Sequence, residues 1–253
     1  MTLRNVIVLA ASGLVLFAKD FFGAVAQPRL LGSLLTAMTE FSLQTTAMKP
    51  AFIELSSVAV TIVRDDVAKL LCALVHDRTD SAAFGRLIAT EILTAFVEEF
   101  SVERLRTPLS MHAHNLNDFH TFDGKVAGVI QNSVRPVLQK LQSQRGVTHA
   151  LLVTDDSISR SGGDVDQLAV LASLEAVMAY SETIFAFARD QAKHMSFDAA
   201  GERRILLWRI EDSVLLVCVD KSVSCTCYSN AIEHACMLLR QLCSVTRNMN
   251  YSY

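Results

Sequence analysis

The segment NVIVLAASGLVLFAKDF, residues 5–21, decides how the amino-terminal part of the chain is interpreted. A run rich in β-branched residues is followed by the turn dipeptide Ser12 and Gly13 and then by a second short apolar run, which is typical of a β-hairpin. The uncharged stretch, residues 6–18, is thirteen residues long, whereas a helix needs about 20 apolar residues to cross a bilayer. The segment is therefore too short for a membrane span.

A secretory signal peptide is the alternative interpretation of this segment. Arg4 precedes the apolar core, and a small-x-small sequence follows at residues 24–26, as in a cleavable signal. However, Lys19 and Asp20 place two charges between the core and that site, where a signal peptide carries neutral residues. We therefore predict that residues 5–21 form the first hairpin of a folded domain.

Composition and charge narrow the classes of function. At 253 residues the chain is long enough for one large domain or two ordinary ones. Its net charge of -3 provides no electrostatic basis for binding nucleic acid or an anionic membrane. Hydrophobic residues make up 51% of the chain, yet no run reaches membrane-spanning length, so the excess is expected to fill cores or to cover an interface. This pattern favours a binding protein.

The six cysteines do not indicate a disulfide framework or a metal site. Four of them lie between residues 218 and 236 without zinc-type spacing, and the pair Cys225 and Cys227 lacks the second pair that would complete a tetrahedral site. We predict reduced, partly buried thiols in a cytosolic protein, with Cys218 and Cys236 as small core residues. No cofactor is expected.

The first half of the chain shows the order β-β-α-β-β-β-α. Apolar residues at spacings of three and four predict an amphipathic helix that starts at Pro28 and includes Met38 and Phe41, both assigned to the core. A second helix is predicted from Phe84 onward, with Asp80 or Ser81 as its cap. Between the helices, three strands are predicted at residues 51–55, 58–63 and 67–75.

The stretch TPLSMHAHNLNDFHTFDG, residues 107–124, is polar and without a period, which indicates a boundary. Its histidines, His112, His114 and His120, lack further ligands at a suitable spacing, so a solvated loop is favoured over a metal site. Helical spacing resumes at residue 125. Ser133 is predicted to cap a separate helix in which Pro136 lies in the first turn.

The second half repeats the plan of the first. Strands are predicted at residues 149–154, around Ile158, and at 195–197, 203–210 and 213–219, with a long helix over 164–189 and a closing helix through Cys243. We therefore predict an α+β protein with two domains, 1–106 and 133–247, joined by a linker and connecting helix at 107–132 and followed by a tail at 248–253. Each domain is expected to contain a five-stranded antiparallel sheet flanked by helices.

These patterns resemble two known families. The first half resembles a longin domain, whose β-β-α-β-β-β-α-α order also starts with a hairpin like NVIVLAASGLVLFAKDF. The second half, from SVRPVLQKLQSQRGVTHALLVTDDSISRSGG (residues 133–163) onward, is similar to a roadblock/LC7 domain. Roadblock domains commonly have Asp-Gly in the first hairpin turn, whereas here Asp155 and Asp156 are followed by Ser157. The resemblance implies a profilin-like topology.

Both families imply interaction rather than chemistry, because they dimerise through helices and sheet edges and recur in small-GTPase regulators, trafficking complexes and dynein-associated subunits. The implied function is a non-catalytic scaffold or regulatory subunit that binds a Ras-type GTPase or other longin- or roadblock-type subunits, with a homodimer among the expected assemblies. The implied location is the cytoplasm, with recruitment to endomembranes only through partners. A coat- or SNARE-type trafficking component without GTPase contact is the alternative.

An enzyme with a dispersed hydrolase or transferase site is the alternative from another class, but the sequence shows no such site. Gly162 and Gly163 lack the remainder of a phosphate loop or dinucleotide motif, and no G-x-S-x-G elbow is present. Asp65 and Asp66, like Asp155 and Asp156, are better explained as turn residues. Cys72 has no basic residue near it in the sequence.

The predicted helix over residues 164–189 has apolar residues on more than one face, although a surface helix needs only one apolar stripe. The excess is explained either by packing within the helix's own core or by a second buried contact, against the first half of the chain or against another subunit. We predict an interaction surface that consists of Val170, Leu174, Val177, Tyr180 and Phe185.

Overall fold

The computed structural model describes residues 3–21, 27–100, 116–154, 158–160, 194–198 and 201–250. The chain divides into two compact units. Unit 1 comprises Met1–Ser133 and Gln241–Tyr253, and unit 2 comprises Val134–Arg240. The domain boundaries predicted from the sequence, 1–106 and 133–247, stay predictions. Within the described residues, no helix is both long and apolar enough to cross a membrane.

Unit 1 contains a five-stranded antiparallel sheet with the strand order β2-β1-β5-β4-β3. The strands are β1 (Leu3–Ala10), β2 (Val15–Asp20), β3 (Phe52–Glu54), β4 (Val58–Asp65) and β5 (Leu70–Asp77). The predicted hairpin and three-strand meander are thus confirmed. The last strand begins three residues later than predicted, because the Asp65 carboxylate accepts the backbone N–H groups of Val67 and Ala68, both at 2.8 Å, and holds residues 66–69 in a turn.

Two helices cover the two faces of this sheet. Helix α1 (Pro28–Thr46) follows β2 and packs Leu35 against apolar residues such as Ile7 and Leu9. Helix α2 (Ala82–Phe100) packs against β4 and β5 and buries Ile88 and Ile92 completely. The cap of α2 predicted from the sequence is confirmed for Ser81, whose hydroxyl oxygen accepts the Phe84 N–H at 3.2 Å.

The segment from residue 116 to residue 132 is helical and contributes buried side chains to unit 1. A 3-10 helix (Leu116–Phe122) leads into α3 (Asp123–Asn132), and the side chains of Phe119 and Phe122 are buried. Phe122 makes edge contacts with Phe17 and Phe96, each with a ring-centroid distance of 5.2 Å. The loop interpretation is therefore wrong for residues 116–122, which are helical and bury two phenylalanines, although His120 is exposed as that interpretation expected. Residues three apart align on one side of a 3-10 helix, so both phenylalanines can enter the core.

Two separate helices follow the 3-10 helix, as predicted. Helix α3 ends at Asn132 and α4 (Val134–Gln142) begins two residues later, with Pro136 in its first turn. The predicted role of Ser133 as a cap for the second helix is wrong. Its backbone is helical and its hydroxyl donates to the Val129 carbonyl at 2.9 Å, so Ser133 ends α3.

Unit 2 contains a second five-stranded antiparallel sheet with the order β7-β6-β10-β9-β8. Its strands are β6 (Val147–Val153), β7 (Ile158–Arg160), β8 (His194–Asp198), β9 (Arg203–Ile210) and β10 (Ser213–Asp220). Helix α4 packs on β6, and the closing helix α5 (Ser229–Asn250) follows a short 3-10 turn (Cys225–Cys227). Three features predicted from the sequence lie outside the described residues: the turn at Asp155 and Asp156, the glycines Gly162 and Gly163, and the helix over 164–189.

The two sheets share one strand order, which confirms the predicted fold class. In each, the second strand is at one edge, the first and fifth strands are central, and the third strand is at the other edge. This order is consistent with the longin/roadblock-like, profilin-like topology that the sequence resemblance implied. The chain is thus an α+β protein with two five-stranded antiparallel sheets flanked by helices.

Candidate interaction surface

Helix α1 exposes a stripe of large apolar side chains. Leu30, Leu34 and Phe41 are 64%, 52% and 70% exposed, and their spacing places them on one side of the helix at 3.6 residues per turn. We call these three residues the α1 stripe. Monomeric surfaces usually carry such residues singly, so an aligned set of three marks a candidate contact surface.

Gly32 determines which side of α1 faces the sheet. A Cβ atom at this position would lie 2.7 Å from Leu9 Cδ2 and 3.0 Å from Val15 Cγ2, so only glycine allows this close approach. Leu35 lies on the same side and is buried, which leaves the α1 stripe roughly opposite the sheet. The assignment of Phe41 to the core is therefore wrong, whereas Met38 is half-buried.

The apolar exposure continues past α1 to the edge strand β3. Of the ten large hydrophobic residues that are exposed in the described part of the chain, seven lie between residues 30 and 55. Four of these seven follow the α1 stripe in sequence: Leu43, Met48, Phe52 and Leu55. Strand β3 ends the order of its sheet, so among the described strands only β4 pairs with it and its other edge can accept a further strand. The exposed apolar residues are therefore concentrated in one part of unit 1.

Arg64 links the segment between α1 and β3 to helix α1 by hydrogen bonds. Its guanidinium donates to the Pro50 carbonyl at 2.8 Å and to Thr39 Oγ1 on α1 at 3.2 Å. Burial lowers the pKa of Arg64, while the nearby Asp66 carboxylate acts in the opposite direction. Because Ser42 Oγ also donates to the Met48 carbonyl at 2.8 Å, this segment is held against the C-terminal half of α1.

A cleft of about 240 Å³ lies beside this segment in unit 1. Its charged lining is balanced between three cations and three carboxylates: Lys49, Arg64, Lys69, Glu40, Asp65 and Asp66. Asp65 is occupied by its turn, as the sequence predicted, and Lys49 Nζ lies 4.0 Å from Asp66 Oδ1. The balanced lining gives the cleft no preference for an anion or a cation.

A buried polar cluster in unit 1 has the residue types of a catalytic triad. Thr61 Oγ1 lies 2.9 Å from His76 Nε2, and His76 Nδ1 lies 3.0 Å from the Asp77 carbonyl and 3.9 Å from Asp80 Oδ2. Since Nδ1 faces a carbonyl acceptor, it carries the proton and Nε2 accepts the Thr61 hydroxyl. His76 is completely buried, so no substrate can reach it.

Burial changes the ionisation of this cluster. It raises the pKa of the Asp80 carboxyl to about 6, with Asp77 adding to the effect, and it lowers the pKa of the His76 imidazole. Asp80 Oδ2 has no hydrogen-bond partner among the described residues. Sequence reasoning missed His76 and Asp80 as a pair, because their contact depends on the turn that joins β5 to α2.

The remaining candidates from the sequence have structural positions. Cys72 is completely buried, and burial raises the pKa of its thiol to about 12, so it is a core residue. Cys236 is buried as predicted, and Cys218 is half-buried. His120 is exposed, whereas His112 and His114 lie outside the described residues. Within the described part of the chain, no three His, Cys, Asp or Glu side chains are grouped as metal ligands.

The interaction surface predicted from the sequence also lies outside the described residues. It consists of Val170, Leu174, Val177, Tyr180 and Phe185, and it stays a prediction. The helix predicted there follows the second strand of its half, as α1 follows β2 in unit 1. The α1 stripe was missed by sequence reasoning because α1 is apolar on both sides.

The fold and this surface define a class of two-sheet α+β proteins with an exposed apolar helix. No protein-family model matches the chain, and no curated protein sequence matches it. Among solved structures, Myxococcus xanthus MglB is similar, with 13% sequence identity and a TM-score of 0.38 over 44% of this chain and 94% of that one. The assignment of fold class rests on the strand order and connections described above.

Proposed function

We propose that this protein is a non-catalytic scaffold or regulatory subunit that binds another protein through the α1 stripe and the neighbouring edge strand β3. The partner is a small Ras-type GTPase or another longin- or roadblock-type subunit, in signalling or vesicle trafficking in the cytoplasm. We further propose that the first half is longin-type and the second half roadblock/LC7-type. The observation that supports binding is the exposure of Leu30, Leu34 and Phe41 on one side of α1.

The energetics of the α1 stripe suit a protein partner. Fully burying a Leu or Phe side chain contributes about 1.5–3 kcal/mol, so hiding the exposed part of each stripe residue contributes roughly 1–2 kcal/mol. Association costs at least about 4 kcal/mol, so the stripe alone is insufficient for tight binding. A partner that also covers Met48 and Phe52 and pairs with the edge of β3 would exceed this cost.

A second copy of the chain also suits this surface. The only charged residues of α1 are Arg29 and Glu40, which lie eleven positions, or about three turns, apart on the same flank of the stripe. In an antiparallel pair with two-fold symmetry, Arg29 of one copy would face Glu40 of the other at both ends. The proposal therefore includes a homodimer, with membrane recruitment only through partners.

Binding can be tested with immobilised small GTPases loaded with GDP or with a non-hydrolysable GTP analogue. The double variant Leu34→Ser with Phe41→Ser should lose at least about ten-fold in retention, because it removes roughly 2–4 kcal/mol of apolar burial. Met237→Ser provides the control, since Met237 is a 37% exposed apolar residue on α5. It should bind as the unmodified chain does.

The alternatives give different results in the same experiment. A coat- or SNARE-type component would retain no GTPase in either nucleotide state but would assemble with other subunits. If no GTPase is retained and mass measurements show a monomer both alone and in cell extract, the scaffold proposal fails. Turnover of a substrate would instead place the protein among enzymes with a dispersed hydrolase or transferase site.

A further inference from the structure

Two neighbouring thiols distinguish the short 3-10 turn before α5. Cys225 and Cys227 are exposed, whereas Cys72 and Cys236 are buried and Cys218 and Cys243 are half-buried. All six cysteines lie in the described part of the chain, and none of them forms a disulfide there. The two most exposed thiols are therefore also the two that are closest in sequence.

Burial lowers the reactivity of three of the six thiols. It raises the pKa of Cys72 to about 12 and that of Cys236 to about 11, and it also raises the pKa of Cys218. The thiolate is the form that attacks a disulfide, so these three cysteines are slow to react at neutral pH. The exposed pair is therefore expected to react before these three thiols.

The two thiols share a neighbour. The Tyr228 phenol has a pKa that is raised mainly by burial and further by Cys225 and Cys227, with Arg204 acting in the opposite direction. Both sulfur atoms thus lie within electrostatic reach of one hydroxyl group. Consecutive residues of a 3-10 helix rise by about 2.0 Å, so Cα atoms two positions apart lie within the range of about 4.4–6.8 Å that a disulfide requires.

We propose that Cys225 and Cys227 form a redox-responsive thiol pair that a low-molecular-weight disulfide, such as oxidised glutathione, converts to an intramolecular disulfide. One cysteine thiolate attacks the small disulfide, forms a mixed disulfide and releases one thiol. The second cysteine then attacks the cysteine sulfur of that mixed disulfide and releases the second thiol. Two protein thiols are oxidised and one disulfide is reduced to two thiols, so the exchange balances. This inference is independent of the proposed function.

Closing this disulfide would change the start of α5. Side chains two positions apart on a 3-10 helix point about 120° apart, so the turn must unwind to join them. The Cys225 carbonyl accepts the Ser229 hydroxyl at 2.6 Å and the Tyr228 N–H at 3.2 Å, and both bonds depend on the present turn. Oxidation is therefore expected to increase hydrogen exchange in the first turn of α5.

The test uses the full chain, reduced and then incubated with oxidised glutathione. Intact mass under non-reducing conditions should show the loss of two hydrogen atoms, and peptide mapping should locate the bond at Cys225 and Cys227. Each single variant, Cys225→Ser and Cys227→Ser, should instead retain one glutathione, because the resolving thiol is missing. Cys243→Ser should behave as the unmodified chain does, and circular dichroism should show that all three variants are folded.

Three results would overturn the proposal. The first is a stable glutathione adduct on the unmodified chain at either cysteine of the pair. The second is modification of Cys218 or Cys243 at a rate equal to or above that of the exposed pair, for which we expect an advantage of about ten-fold or more. The third is a disulfide-linked dimer in place of the intramolecular bond.

Discussion

At the scale of single residues, Gly85 permits α2 to pack against the buried polar cluster of unit 1. A Cβ atom at this position would lie 2.3 Å from Thr61 Oγ1 and 2.6 Å from His76 Nε2. Both side chains are buried and hydrogen-bonded to each other, so neither can move aside without losing that bond. The glycine is therefore required for packing, although its backbone is helical.

The first prediction concerns this glycine. Gly85→Ala should lower the free energy of unfolding by about 1–3 kcal/mol through overpacking, despite the better helix propensity of alanine. Gly128→Ala on α3 is the matched control, because nothing lies within 4 Å of its Cβ position. That variant should gain about 0.5–1 kcal/mol. Urea denaturation of both proteins compares them, and equal stabilities would contradict the assigned role of Gly85.

The second prediction concerns Asp80 and pH. Its pKa is raised to about 6 in the folded protein from 3.8 for the free group, so the neutral form favours folding. This contribution is fully present below pH 3.8 and is lost as the pH rises through 6. Replacing Asp80 by Asn should therefore improve stability more at pH 7.5 than at pH 4.5.

The measurement is the difference in unfolding free energy between Asp80→Asn and the unmodified chain at the two pH values. His76 titrates in the opposite sense, because its lowered pKa makes protonation unfavourable to folding, but it is present in both proteins. Asp66→Asn serves as the control, since the Asp66 side chain is 84% exposed. A difference that is independent of pH would exclude the proposed ionisation of Asp80.

At the scale of secondary-structure elements, five phenylalanines hold the segment from the 3-10 helix to α3 in unit 1. Phe100 and Phe119 have ring centroids 4.9 Å apart, and Phe17, Phe96 and Phe122 complete the cluster. The Lys19 ammonium adds polar contacts to the carbonyl and carboxylate of Asp123, both at 3.0 Å. This segment thus shields apolar side chains of the first hairpin and of α2 from solvent.

The third prediction follows from this cluster. Phe122→Ala should cost about 3–5 kcal/mol of stability, because a fully buried aromatic side chain would leave a cavity. Phe41→Ala is the matched control, since Phe41 is 70% exposed and its removal should change stability by no more than about 0.5 kcal/mol. If both variants unfold at the same denaturant concentration, Phe122 does not have the predicted role.

At the scale of the whole molecule, the question is whether two copies pair through the proposed α1 surface. The charges of α1 make a specific fourth prediction. Arg29→Glu alone should place like charges opposite each other at both ends of an antiparallel pair and weaken self-association by about ten-fold, since each rim pair contributes up to about 1 kcal/mol. The double variant Arg29→Glu with Glu40→Arg should restore it.

Sedimentation equilibrium at low salt measures this association. The dissociation constants of the unmodified chain, the single variant and the double variant should differ less at high salt, where exposed charges are screened. Restoration by the double variant is the informative result, because a merely structural effect of either substitution would accumulate rather than cancel. A double variant weaker than the single one would contradict antiparallel pairing.

Local pattern was sufficient for most of the secondary structure. The hairpin at residues 5–21 and the closely spaced strands β9 and β10 follow from alternation and turn residues, which act over a few neighbours. Ser81 was recognisable as a cap because it precedes a helical apolar pattern. The repeated order of elements then indicated two α+β halves, since few topologies bury such a set of elements.

Tertiary structure alone decided which apolar residues are buried. Helix α1 carries leucines on both sides, so its exposed stripe was settled by Gly32, whose missing side chain lets that side approach Leu9 and Val15. The burial of Phe119 and Phe122 could not be predicted from the polar sequence around them. It results from contacts with Phe96 and Phe17, which are distant along the chain. The sequence by itself determined the strands of both sheets and most of the described helices, in their order, because hydrogen bonding and turn formation are local. Burial depends on contacts between distant segments, and therefore only the folded chain decides it.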